Sequence, residues 1–251
     1  MRISAIIQAR MGSERLPGKV LMPLMNKTVL EHVIDRVCQA KKVDEVIVAT
    51  SDQSIDDPIC DLCQKKGVLF FRGDSFDVLD RYYKTAKKYH IENICRVTAD
   101  CPLIDPDVID AVISRYEKET CDYISTGRLT STFPDGMDTE VFSFKILETA
   151  WNEAKLPSER EHVTPFIWKQ PQRFNVIEVQ NGQDLSNYRL TLDEPRDYEL
   201  LQIIFQNLHD PRMLDIIEYI DHHPEIQSIN SSIIRNAGHL KSLEDEEKTK
   251  S

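Results

Sequence analysis

The chain has 251 residues, of which 41% are hydrophobic and 29% charged, with a formal net charge of −11. That length can bury one substantial core, or a core with an appendage, and the composition is that of an ordinary globular protein. The acidity argues against a nucleic-acid partner, and no apolar run reaches membrane-spanning length, so neither partner is expected and a cytoplasmic location is. Cys38, Cys60, Cys63, Cys95, Cys101 and Cys121 are scattered, mostly in apolar segments. The single CxxC at Cys60 and Cys63 has no second pair and no nearby histidine, so buried thiols are expected rather than zinc or redox chemistry.

The first element is an apolar, β-branched run, Ile3 to Ile7, which predicts a buried strand. It gives way to a segment, Gln8 to Lys19, that holds Gly12, Gly18, Pro17 and the cations Arg10, Arg15 and Lys19. A strand that ends in a flexible cationic loop offers backbone N–H groups and positive charge to a polyphosphate. It is not a Walker A loop. Five residues separate Gly12 from Gly18, and Val20 stands where a magnesium-binding Ser or Thr is required. No GxGxxG is present either, so a nucleoside triphosphate held by another device is expected.

Thr28 and Glu31 form a capping box before the helical spacing of Val29, Val33, Ile34 and Val37. A strand follows at Glu45 to Ser51, then a short helix started by Pro58 and closed by Gly67, and a strand at Val68 to Phe71. Ser75 to His90 predicts a helix, Asn93 to Ala99 a strand, and Pro106 opens a helix to about Lys118. Strands separated by helices imply an α/β fold with a mostly parallel sheet and ligand at the carboxyl ends of the strands. Beyond Cys121 the rhythm changes. Strands are expected at Asp122 to Thr126, Thr139 to Phe144, Phe174 to Val179 and Tyr188 to Leu192. Helices are expected at Lys145 to Ala154, Arg160 to Lys169 and Glu194 to Leu208, then one more helix and a polar tail without firm order from about Asn236. Its acidic run, Glu244 to Glu247, reads as a solvated end.

Two aspartates each end an expected strand, Asp100 after Val97-Thr98-Ala99 and Asp193 after Leu190-Thr191-Leu192. Carboxylates there converge on the ligand crevice, and hard oxygens suit magnesium and its phosphate ligands. Helix capping is the alternative for each, above all for Asp193 before Pro195.

Five segments carry a resemblance: Gln8-Ala-Arg-Met-Gly-Ser-Glu-Arg-Leu-Pro-Gly-Lys19, Arg96-Val-Thr-Ala-Asp-Cys-Pro-Leu103, Asp135-Gly-Met-Asp-Thr-Glu140, Arg160-Glu-His-Val-Thr164 and Leu190-Thr-Leu-Asp-Glu-Pro-Arg-Asp197. In this order they resemble the cytidylyltransferase family over residues 1 to about 225. The nearest branch is that of the SpsF-like spore-coat polysaccharide proteins, with acylneuraminate and 3-deoxy-manno-octulosonate cytidylyltransferases more distant. The resemblance implies a nucleotide-diphospho-sugar transferase fold (GT-A-like, Rossmann-like, three layers), magnesium dependence and a homodimer. The implied reaction joins a sugar acid, here a nonulosonic one, to CTP, giving a CMP-sugar and pyrophosphate for surface polysaccharide.

Carried over by motif, Gln8, Arg10, Gly12, Ser13, Arg15 and Lys19 would hold the nucleotide, with Arg15, Lys19 and Asp100 acting in catalysis. Asp100 and Asp193 would hold Mg2+. Beside the resemblance, Asp135, Asp138 and Glu140 are candidates to bind sugar hydroxyls and Arg160 and His162 a carboxylate or amide, with surface charges and caps on a polar loop as the alternative for all five. The domain so defined covers 1–225, with a nucleotide half to about residue 120 and an acceptor or dimer half over 121–193. Residues 226–251 would form a helical extension and polar tail. The opening loop departs from the sialic-acid branch, and the acceptor segment departs from the octulosonate enzymes, so the reaction class transfers better than the sugar. Two other functions remain open at this point. One is transfer from another nucleoside triphosphate to a sugar 1-phosphate, and the other is a catalytically silent nucleotide-binding partner.

Overall fold

The computed structural model describes residues 1–127 and 130–250. The first half alternates strand and helix: β1 (Ser4–Gln8), a small hairpin of β2 (Pro23–Leu24) and β3 (Lys27–Thr28), α1 (Val29–Gln39), β4 (Glu45–Ser51), α2 (Asp57–Lys66), β5 (Leu69–Gly73), α3 (Val78–Lys88), β6 (Asn93–Thr98) and α4 (Pro106–Lys118). There follow β7 (Tyr123–Ser125), β8 (Glu140–Ser143), α5 (Phe144–Glu153), α6 (Pro157–His162), α7 (Pro165–Trp168) and β9 (Val176–Glu178). The chain then runs through α8 (Pro195–Asn207), α9 (Met213–Asp221), α10 (Pro224–Ser228) and α11 (Ala237–Lys250).

One seven-stranded sheet takes the order β5-β4-β1-β6-β8-β7-β9. The first four strands are parallel, β8 runs antiparallel to both β6 and β7, and β9 is parallel to β7. Alternation along the strands feeds two cores. Ile3, just before β1, Ala5 and Ile7 of β1, Val48 of β4 and Cys95 and Val97 of β6 pack with α1, α4, α8 and α9. Ile6, Ile47, Ala49 and Ile94 face the other way, onto Leu79 and Tyr82 of α3, Leu147 of α5 and Ile167 of α7. Both faces being covered explains why β1 and β4 have apolar residues at successive positions. The order reverses at β1, which is followed in sequence by β4 and β5 on one side and then by β6 on the other. Such a switch point opens a crevice at the strand ends.

Local chemistry fixes the elements. Thr28 accepts the Glu31 N–H at 3.3 Å while Glu31 accepts the Thr28 N–H at 2.7 Å, closing the expected capping box on α1. Gly67 ends α2 in the left-handed region, with φ 67°.

Three sequence expectations need correction. The helix expected over Arg160 to Lys169 is two short ones, α6 and α7, parted at Val163 with φ 71°. Pro165 supplies no N–H to an uninterrupted helix, and it takes the first position of α7 instead. Tyr188 to Leu192 is extended but makes no strand, only a single bridge from Arg189 to Asp135. Its partner chain turns away at Gly136, where φ is 102° and a Cβ would lie 2.7 Å from the Leu190 carbonyl carbon. The polar tail is the helix α11. Its Glu246 is buried and accepts the Ser158 N–H at 2.5 Å, which orders what reads in sequence as a solvated acidic run.

Candidate active site

A cavity of about 840 Å3 lies over the carboxyl ends of β1 and β6. Ten of the thirteen residues singled out from sequence line it. Gln8, Arg10, Ser13, Arg15 and Lys19 come from the end of β1 and its loop. Asp100, Asp135, Asp138, His162 and Asp193 come from four later segments. Gly12, Glu140 and Arg160 do not line it.

The loop after β1 is closed on itself and tied down. The Met11 carbonyl accepts the N–H of Ser13 and that of Gly18, both at 2.9 Å, and Gly18 sits at φ 74°. The Met11 N–H donates at 2.7 Å to Asp56, a buried carboxylate that also takes the Ser51 hydroxyl. The turn after β4 thereby anchors the loop. Gly12 itself is in open space, where a Cβ would meet nothing within 4 Å.

Lys19 is the pivot of the site. Its ammonium donates to Asp100 Oδ2 at 2.7 Å, to Asp193 Oδ1 at 2.8 Å and to the Leu192 carbonyl at 2.8 Å, which uses all three protons. Arg15 reaches the same Asp193 oxygen at 2.9 Å. The two aspartates are brought together because the extended segment docks on the end of β6. The Leu192 N–H and Thr191 hydroxyl both donate to the Asp100 carbonyl, at 2.8 and 3.2 Å. Asp193 is not a cap of α8. Glu194 holds that position, and Asp197 accepts the N–H groups of both Asp193 and Glu194. Burial raises the Asp100 carboxyl, but Lys19 outweighs it and brings the pKa down to about 2.

Sequence reasoning missed the residue that carries the arrangement outward, Arg189. Its guanidinium donates to Asp197 at 2.9 Å, to Asp193 Oδ2 at 2.9 Å and to Asp135 at 2.6 Å. Arg235 continues the alternation, 3.8 Å from Asp135 and 3.4 Å from Asp138. Burial, with the Asp138 charge next, lifts the Asp135 pKa to about 7 against both arginines. A run of alternating charge joins Asp100 to Asp138. Arg189 was hidden because it lies in a stretch read as a plain strand.

Two expected acceptor residues are structural. Glu140 is 1% exposed on β8 and is bound by Arg96 and by the Tyr123 hydroxyl, at 2.8 Å for the latter. Its carboxylate lies within the sheet, where a sugar cannot reach; its neighbour Arg96 does line the cavity and donates to Gln8 at 2.9 Å. Arg160 forks onto Asp77, with contacts of 3.0, 3.0 and 2.5 Å, pinning α6 to the cap of α3. His162 does face the cavity and meets the Ser242 hydroxyl at 3.0 Å. Ser242 belongs to α11, as do His239 and Lys241, and all three line the mouth. Lys241 pairs with Glu14 of the loop after β1.

Among the described residues, no group of three or more His, Cys, Asp or Glu side chains could hold a metal ion. Asp100 and Asp193 make a pair, and a pair suits magnesium, which takes one or two carboxylates and completes its shell with water and phosphate oxygens. The side chains are 25% and 17% exposed, and the Cys101 thiol lies 3.7 Å from Asp100 Oδ1. The donor set fits the ion. Cys60 and Cys63 are buried, and burial pushes the Cys63 thiol up to about 12.

A cationic loop and paired strand-end carboxylates on this sheet define a nucleotidyltransferase, and the comparisons with known proteins agree. The chain belongs to the cytidylyltransferase family, whose model matches residues 4–231. It is similar to a cytidylyltransferase of solved structure from Leptospira borgpetersenii, with a TM-score of 0.86 and 37% identity over 90% of this chain and 96% of the other. It is 36% identical to the spore coat polysaccharide biosynthesis protein SpsF of Bacillus subtilis, across 80% of this chain and 85% of that one. Over 47% of each chain it is 36% identical to the 3-deoxy-manno-octulosonate cytidylyltransferase of Syntrophotalea carbinolica.

Proposed function

We propose that the protein is a magnesium-dependent CTP:sugar-acid cytidylyltransferase that makes a CMP-sugar and pyrophosphate for surface polysaccharide. The observation that carries this reading is Lys19 held between Asp100 and Asp193, with Arg15 beside them, at the switch point of the sheet. The sugar acid is supported by the octulosonate enzyme's name, and the polysaccharide by that of SpsF.

Nucleotidyl transfer asks the protein for alignment and counter-charge more than for covalent help. Arg15, through its fork, and Lys19, as a point charge, neutralise the β- and γ-phosphates as they leave. Asp100 and Asp193 would hold Mg2+, which would supply counter-charge for the phosphates and acidify the acceptor hydroxyl. Arg189 holds Asp193 and Asp135 in place, and Asp135, Asp138 and His162 are available to orient the acceptor. The test is pyrophosphate release, measured across the four nucleoside triphosphates and a panel of sugar acids and sugar 1-phosphates. CTP with a nonulosonic acid should be preferred. Turnover only with sugar 1-phosphates would replace this reading with the other enzyme, and no release on any pair would favour a silent binding partner.

A further inference from the structure

The Lys19 ammonium fills the space between the two carboxylates that a divalent ion would need. Three oxygens surround it at 2.7 to 2.8 Å, from Asp100, Asp193 and the Leu192 carbonyl, and the first two carry negative charge. Hard oxygens of this kind are also what magnesium takes. One set cannot hold both cations. An ion bridging the pair through these oxygens would compete with the ammonium protons for the same lone pairs. The like charges would also meet where Lys19 is buried and little water screens them.

Asp193 offers no way round. Its Oδ1 accepts from Lys19 at 2.8 Å and from Arg15 at 2.9 Å, and its Oδ2 accepts from Arg189 at 2.9 Å. These cations differ in what anchors them. Arg189 is buried and held also by Asp135 and Asp197, so it stays. The Arg15 side chain is 36% exposed and tied only to Asp193 and, at 3.9 Å, to Glu194. Lys19 carries a point charge on a flexible four-carbon stem. Its ammonium can swing while the backbone of Lys19–Leu21, a single 3-10 turn, keeps its place.

We propose that Lys19 is a resident counter-ion that closes the Asp100–Asp193 pair to a free divalent ion, and yields it only when a nucleoside triphosphate gives the ammonium other oxygens. This rests on the two aspartates being the magnesium ligands. In the resting protein the lysine neutralises part-buried carboxylates whose unpaired charge is unfavourable. Metal and nucleotide then enter together. Each favours the other, and the coupling between them is reciprocal.

The test is titration of the nucleotide-free protein with Mn2+, following the free ion by electron paramagnetic resonance. Wild type, Lys19→Met and Arg15→Met are compared, each with and without Asp100→Asn. Lys19→Met keeps the length of the stem and removes the cation. Arg15→Met takes one charge off the same Asp193 oxygen without clearing the space between the carboxylates, so it measures charge alone. Lys19→Met should bind Mn2+ about tenfold or more tighter than wild type, Arg15→Met no more than about threefold tighter, and Asp100→Asn should abolish the gain. The melting temperature of Lys19→Met should rise in millimolar Mg2+ while that of wild type hardly moves. Equal gains in the two single variants would overturn the proposal, as would tight Mn2+ binding by wild type or none by Lys19→Met. A gain that survives Asp100→Asn sinks both the proposal and the place of Asp100 in metal binding. Pyrophosphate release by wild type, with and without magnesium, tests the proposed activity separately. Magnesium-dependent release alongside failed titrations leaves the enzyme standing and removes only the role of Lys19. Should Lys19→Met not fold, Lys19→Gln decides by the same criteria.

Discussion

Lys19 and its two carboxylates make predictions that separate charge from shape. Asp100→Asn keeps the shape of a metal ligand and removes its charge, so turnover at limiting magnesium should fall by orders of magnitude, with a lower melting temperature because Lys19 loses a charged partner. Near-normal turnover would remove Asp100 from metal binding. Lys19→Ala leaves two part-buried carboxylates facing each other. It should cost about 2–4 kcal/mol of stability by denaturant titration as well as activity. Asp135 titrates in the opposite sense to Asp100. The folded state holds its pKa up at about 7, so the stability gained from keeping it protonated is present at low pH and lost as pH rises through that value. The stability of Asp135→Asn relative to wild type should therefore improve by about 2 kcal/mol between about pH 5 and about pH 8. A flat difference would mean that Asp135 is ionised throughout. Asp100, whose pKa is lowered to about 2, contributes stability above the ordinary carboxylate range and loses it only as pH falls toward that value. The sequence showed Asp100 and Asp193 because each ends an expected strand. It could not show Arg189, whose importance comes from three carboxylates that only the tertiary fold assembles.

The elements that lay in plain view are those whose two faces are both buried. β1 and β4 read as apolar runs, and α1 declared itself through Thr28 and Glu31. What stayed hidden was decided by partners far along the chain. Glu140 looked like an acceptor ligand because it closes a polar motif, yet Arg96 and Tyr123 claim it within the sheet. The same logic applies to Asp56, a carboxylate without a motif that holds the Met11 N–H. Asp56→Ala should free the nucleotide loop from the turn after β4. The Michaelis constant for the nucleotide should rise about tenfold or more, with a smaller change for the acceptor sugar. An equal effect on both substrates would point to general unfolding instead.

Across the whole molecule, the parallel half of the sheet, its helices and the place of the crevice were readable from alternating periodicity. The roof was not. α11 is polar by composition and gave no apolar period to read, but its buried Glu246 docks on the start of α6, and Lys241 reaches the nucleotide loop. A chain lacking residues 237–251 should bind nucleotide with a faster association rate in stopped flow, since part of the mouth is then uncovered. Its tryptophan emission should also shift to the red as Trp168, 9% exposed and in ring contact with His239, meets water. Unchanged association would show that the helix stands clear of the entry path.

The three bonds of the Lys19 ammonium also govern when the site comes into being. They span 81, 173 and 174 positions of the chain. Closures over such separations are late events in folding, because the entropy of drawing distant segments together is spent before any contact forms. Helices and adjacent parallel strands can form while this lysine still has no partner. In a refolding experiment, ellipticity should recover first and catalytic competence afterwards. The interval between them would time the arrival of the segment around Asp193 at the end of β6.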